Sequence, residues 1–89
     1  MRIDKFIQFV RVIKGRKYSK LACEKGYVYV NEKKVKPSYR VKKGDRILID
    51  LLDRRIELEV LETPDKNFSK GDIERYVKFL SYTKKKVYY

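Results

Sequence analysis

The residues best suited to chemistry in this chain are cations. Arg2, Lys5, Arg11, Lys14, Arg16, Lys17 and Lys20 open the sequence, and Lys42 and Lys43 form a second cluster. A guanidinium is a planar fork that makes paired, charge-assisted hydrogen bonds to phosphate. Arg2, Arg11 and Arg16 are therefore the first candidates for contacts with a phosphate backbone. Lys14, Lys17 and Lys20 offer attraction that ignores base sequence and weakens with salt. Each lysine has an equal alternative as solvated surface. Each arginine has one as a weak exposed ion pair, for instance Asp4 with Arg2 or Arg11. Asp4 can hold an arginine in place, or it can serve as a favourable acid in the first turn of a helix.

The distribution of charge favours a polyanion partner. The 89 residues carry 24 cations and 12 anions, a net charge of +12. Residues 1–46 hold fifteen of the cations and four of the anions, while residues 47–89 are nearly balanced. Self-repulsion of this size has no folding benefit, which points to a binding surface in the first half. Other chemistries drop out. The absence of histidine removes the usual acid/base carrier, and one cysteine without histidine cannot build a tetrahedral zinc site. A lone Cys23 forms no internal disulfide, as in a reducing compartment, and packing suits it better than reactivity. No apolar run is long enough to span a membrane, and no signal-peptide core follows Met1. No metal or cofactor is expected, nor catalysis.

These cations must be carried by a few short elements. Ile3, Phe6, Ile7, Val10 and Ile13 recur at helical spacing, with Gly15 as the stop and Asp4, Gln8 and Arg11 on the opposite, polar face. A second helix is expected from about residue 17 to 25, ended by Gly26. Tyr27–Val30, Lys34–Lys36, Ile47–Leu51 and Ile56–Leu61 alternate as four short strands. Tyr27 and Tyr29 share one strand face and either stack on unpaired bases or simply pack. A last helix is expected near residues 70–82, with Ser69 and Asp72 at its start and Ile73, Tyr76, Val77 and Leu80 as its apolar stripe. The basic tail Lys84–Tyr89 has no clear period. The fold class is α+β: a helix pair packed on a small antiparallel sheet, plus a C-terminal helix.

The run Arg2-Ile3-Asp4-Lys5-Phe6-Ile7, then Arg11-Val12-Ile13-Lys14-Gly15-Arg16, Gly26-Tyr27-Val28-Tyr29-Val30-Asn31, Val35-Lys36 and Val41-Lys42-Lys43-Gly44-Asp45-Arg46-Ile47, resembles a known family. It is the RNA-binding domain named after small-subunit ribosomal protein four, also called the alpha-L motif. The match covers about half the chain, and its strength lies in the order and spacing of the pieces. The opening Met-Arg-hydrophobic-Asp-Lys-Phe further resembles stand-alone members that bind the large ribosomal subunit. These are the small heat-shock recycling type and the bacterial ribosome quality-control factor P type.

The resemblance implies an alpha-L RNA-binding domain over residues 1–62 and a C-terminal extension over 63–89. It carries Arg2, Asp4, Arg11, Lys14, Arg16, Lys42 and Lys43 over as RNA-binding positions, with Lys5, Lys17 and Lys20 beside them. The implied partners are ribosomal RNA of the large subunit, tRNA and a tailing elongation factor. The protein would be cytoplasmic and monomeric, act in rescue of stalled translation, and have no membrane role. Two departures stand out. Lys17 replaces a common Ser or Thr, which weakens the second helix's cap, and Asn31-Glu32 replaces Asn-Gly at the first hairpin. An assembly or RNA-modification accessory factor of the same fold is the alternative. A basic adaptor for acidic proteins or anionic membranes is a third reading.

Overall fold

Helix α1 spans Ile3–Phe9 because Ile3, Phe6 and Ile7 recur on one face and are fully buried. The computed structural model, which describes residues 1–64 and 73–86, ends this helix well before Gly15. Arg11 takes a left-handed φ of 62°. The Val12 N–H then reaches back to the Ile7 carbonyl at 3.2 Å and the Arg11 N–H to Gln8 at 3.0 Å. That pair of bonds is a Schellman closure, with Val12 and Ile7 as its buried apolar contact. Ile13 fits the helical stripe yet reaches the core from the loop instead. Periodicity could not separate the two routes, because both bury the same residue.

Gly15, with φ of 88°, starts the second helix rather than stopping the first. Helix α2 covers Arg16–Glu24 and closes at Gly26 as expected, with a second Schellman pair to Cys23 and Ala22 at 3.1 and 2.9 Å. No side chain caps its N-terminus: the N-cap is Gly15, and Lys17, expected to weaken the cap, lies inside the first turn instead.

The helices pack on an antiparallel sheet of five strands in the order β2-β1-β3-β4-β5. Its first four strands are β1 (Val28–Val30), β2 (Lys33–Lys34), β3 (Arg46–Asp50) and β4 (Arg54–Val60). Alternation sends Val28, Val30, Ile47, Ile49, Ile56, Leu58 and Val60 into the core, facing Phe6 and Ile7. The β1–β2 hairpin turns on two residues, Asn31 and Glu32, with φ of 49° and 73°. Positive φ at both positions is what a type I′ hairpin demands, so Glu32 occupies a site that glycine fills without strain.

The C-terminal region corrects the sequence expectation. The last helix, α3, is one turn, Ile73–Tyr76, and Val77–Lys84 form β5 against β4. The proposed cap at Ser69 and Asp72 lies outside the described residues. The helical spacing of Val77 and Leu80 has a local cause. The register steps from Leu58↔Phe79 to Glu57↔Ser81, so Leu80 is an extra, bulged residue. The segment is rich in β-favouring Val, Phe, Tyr and Thr, and β4 needed a partner along its free edge.

Candidate nucleic-acid interface

The site is organised around Asp4, which is only 1% exposed. A buried carboxylate is costly unless its oxygens are met. Oδ1 accepts the Lys5 N–H at 2.8 Å. Oδ2 accepts from Arg2 Nη2 at 3.2 Å and stands 3.9 Å from Arg16 Nε. Asp4 therefore does not share an open polar face with Gln8 and Arg11, which are both exposed. The reason is helix pairing: buried Ser19 of α2 donates its hydroxyl to the Asp4 carbonyl at 2.5 Å, closing α2 over this residue. Of the two partners foreseen for Asp4, Arg2 is present. Arg11 is not, and Arg16 takes that place. Asp4 has almost no surface to offer a ligand, and its carboxylate lies against the Arg2 and Arg16 guanidinium groups instead.

The arginines themselves remain available, with 40% of the Arg2 side chain and 52% of the Arg16 side chain exposed. A single oxygen, Asp4 Oδ2, thus gathers two guanidinium groups, from the residue before α1 and the first residue of α2. Arg2 is held from its other side as well. It pairs with Arg40 in a short antiparallel bridge, flanked by Ile3 N–H to Tyr39 O at 2.7 Å and Val41 N–H to Met1 O at 3.0 Å. Opposed residues in such a bridge project to the same side, so Arg40 joins Arg2. Lys20, Lys36 and Arg2 line one concave surface with Pro37, Ser38 and one acid, Glu24, which stands 3.9 Å from Lys20 Nζ.

Lys42 and Lys43 begin two residues beyond Arg40 of that bridge. They ride on a turn fixed by buried Asp45, which accepts the Lys42 N–H at 2.9 Å, the Tyr39 hydroxyl at 2.9 Å and the Asn31 amide at 3.2 Å. Burial, and then the bond to Asp45, push the Tyr39 hydroxyl pKa above its ordinary value. Gly44, at φ of 90°, makes the turn possible. Lys14 and Lys17 are exposed and lie outside the Asp4 contacts, and exposed Lys5 meets Asp4 through its backbone N–H. Two sequential cations at the start of α2, Arg16 and Lys17, oppose the helix dipole, a cost to the isolated fold that a bound anion would reverse.

Sequence reading missed Arg40 and Lys36 as members of this cluster. Nothing near Arg40 in sequence marked it, because the bridge to the N-terminus is a long-range pairing, and Lys36 entered only as part of the Val35-Lys36 piece of the family pattern. Tyr29 does lie on the sheet face away from the helices, with Lys34 Nζ 6.0 Å from its ring centre. Cys23 is buried, and that burial, then Asp4 and Glu24, raise its thiol pKa to about 11. It stays protonated and inert near neutrality.

A helix pair on a five-stranded antiparallel sheet, with buried acids holding exposed arginines and lysines, defines a small basic polyanion-binding domain. The S4 domain family model matches residues 1–47, and the chain belongs to that family of alpha-L RNA-binding domains. A Helicobacter pylori (strain J99) protein called RQC P-site tRNA stabilizing factor is 38% identical over 78 residues, covering 86% of this chain and 93% of that one. A Bacillus subtilis (strain 168) protein of the same name is 32% identical over 65 residues, 73% of this chain and 76% of its own length. Among solved structures, the trimeric Heat Shock Protein 15 of Vibrio cholerae shares the fold with a TM-score of 0.77 at 22% identity, over 91% of this chain and 82% of that one. The solution structure of a hypothetical protein, HP1423, superposes with a TM-score of 0.75 at 35% identity, over 91% of this chain and 98% of that one. Among the described residues, no helix is long and apolar enough to cross a membrane.

Proposed function

We propose that the chain is a non-catalytic factor that binds the large ribosomal subunit, contacting ribosomal RNA and tRNA during rescue of stalled translation. The observation that carries this reading is the pairing of Arg2 and Arg16 at buried Asp4, in a chain similar to proteins named for stabilising P-site tRNA in ribosome quality control. Two fixed forks can take adjacent phosphates of a folded RNA, and the surrounding lysines add long-range attraction. A rigid surface of this kind reads the shape of an A-form backbone rather than a base code. Arg2, Lys5, Arg11, Lys14, Arg16, Lys17, Lys20, Lys42 and Lys43 supply the contacts, with Asp4 behind them. The factor works as a cytoplasmic monomer beside a tailing elongation factor.

The test is sedimentation of lysate containing the tagged protein at low and moderate salt. Migration with free large subunits, lost in Arg2→Ala/Arg16→Ala, supports the proposal. Migration with small subunits or precursor RNA moves the protein to an assembly role. A protein that stays at the top of the gradient contradicts both.

A further inference from the structure

Strand β5 presents apolar surface that the fold does not use. Phe79 is 50% exposed and Tyr82 is 61% exposed. In register they stand opposite Leu58 and Ile56, which are buried, so both rings lie on the helix-bearing face of the sheet, beyond the cover of the helices. Their β4 partners are two residues apart, which sets the rings about 7 Å apart along the strand. Stacked nucleotides repeat at about 3.4 Å, so the interval is that of one base between two rings.

The charges beside these rings match a polyanion. Val77–Lys86 contains no acid. Lys84 shares the ring-bearing face and stands directly opposite Arg54, a like-charge pair that costs the fold stability. Among the described residues neither Lys84 nor Lys86 has an acidic partner, whereas Lys85 between them is paired with Asp50. The strip also adjoins the basic connection between α1 and α2. Arg54 donates to the Val12 carbonyl at 2.9 Å, and Val12 lies between Arg11 and Lys14. Addition of a peptide strand along β5 is opposed by the bulge at Leu80 and the edge lysines, which discourage pairing. A second copy of so basic a chain is opposed by charge.

We propose that Phe79, Tyr82, Lys84 and Lys86 form a second RNA-contacting strip that holds an unpaired single-stranded segment of the RNA bound at the arginine cluster. The rings stack on its bases and the lysines meet its phosphates. This rests on the RNA-binding reading above and adds a site for single strands to one for folded RNA.

The probes are an RNA hairpin, the same hairpin with a single-stranded uridine tail, and an oligoglutamate peptide, each titrated against the full chain. The wild type is expected to bind the tailed hairpin about tenfold more tightly than the blunt one, a modest value for base–aromatic stacking. Phe79→Ala/Tyr82→Ala should erase that gain and leave blunt-hairpin binding unchanged. Tyr82→Phe, which keeps the ring, should preserve it. Lys84→Ala/Lys86→Ala should lower the salt slope for the tailed RNA by about 1.4. Circular dichroism and melting confirm that the variants fold. A wild type that gains nothing from the tail overturns this proposal alone, as does a gain indifferent to the ring substitutions. Oligoglutamate binding that needs the rings while the tail gain does not would reassign the strip to an acidic protein. A chain that binds no RNA probe overturns this proposal and the reading beneath it.

Discussion

The two ends of this small sheet use aromatic residues and charge in opposite ways. Around α1, Phe6 is fully buried and the acids Asp4 and Asp45 are buried with it, each fixing exposed cations or the turn that bears them. Along β5, Phe79 and Tyr82 are exposed, and the cations beside them face no acid on their own strand. The first region is an organised site whose geometry is set before any ligand arrives. The second is an exposed strip ordered by its pairing with β4, with no buried acid on its own strand to fix its cations. The difference shows that net charge alone does not make a defined site; a buried counter-charge does.

The largest expected effect separates the two phenylalanines. Phe6→Ala should destabilise the protein by about 3–5 kcal/mol, whereas Phe79→Ala should cost less than about 1 kcal/mol. Urea unfolding measures both, and similar losses would break the contrast. Next, Arg2→Ala/Arg16→Ala should weaken RNA binding about a hundredfold at moderate salt and lower the salt slope by roughly 1.4–1.8, and it should destabilise the fold by about 1–3 kcal/mol, because buried Asp4 loses the guanidinium groups that meet its Oδ2. Filter binding across a salt series would show this.

A smaller effect concerns Cys23. Burial raises its folded pKa to about 11. The unfolded thiol ionises nearer 8.5. The folded chain therefore holds the proton more tightly, and this stabilisation is present below the unfolded value and lost as pH rises toward 11. The melting temperature should fall as pH rises across that window. Cys23→Ala should flatten that part of the profile. The smallest effect is at the hairpin: Glu32→Gly should stabilise by about 0.5–1 kcal/mol, because φ of 73° suits glycine. Thermal melts would detect it, and destabilisation would mean that the glutamate side chain supports the turn.

The same contrast explains what the sequence disclosed. Strands β1, β3 and β4 were legible because alternation over buried Val, Ile and Leu has one interpretation when one face is covered. The stop at Gly26 was legible because its backbone requirement is local. The early end of α1 was not, since Arg11 is a rare left-handed non-glycine and Ile13 is buried in either geometry. Strand β5 was hidden by a bulge that imitated helical spacing. In the candidate site, the cations were readable from composition. Their grouping was not, because Arg16 reaches Asp4 across twelve residues and Arg40 reaches Arg2 across the N-terminal bridge.

The central claim is that a buried acid aims the RNA-contacting arginines. The direct test is equilibrium binding of purified large ribosomal subunits to the wild type, Asp4→Asn and Arg2→Ala/Arg16→Ala, with folding confirmed for each. Asn keeps the shape but loses the charge that gathers the two guanidinium groups. The account predicts that Asp4→Asn falls between the other two, about tenfold weaker than wild type, although no ligand can touch that side chain. Wild-type affinity in Asp4→Asn, together with lost affinity in the arginine variant, would show that the arginines bind without the acid and would contradict the claim.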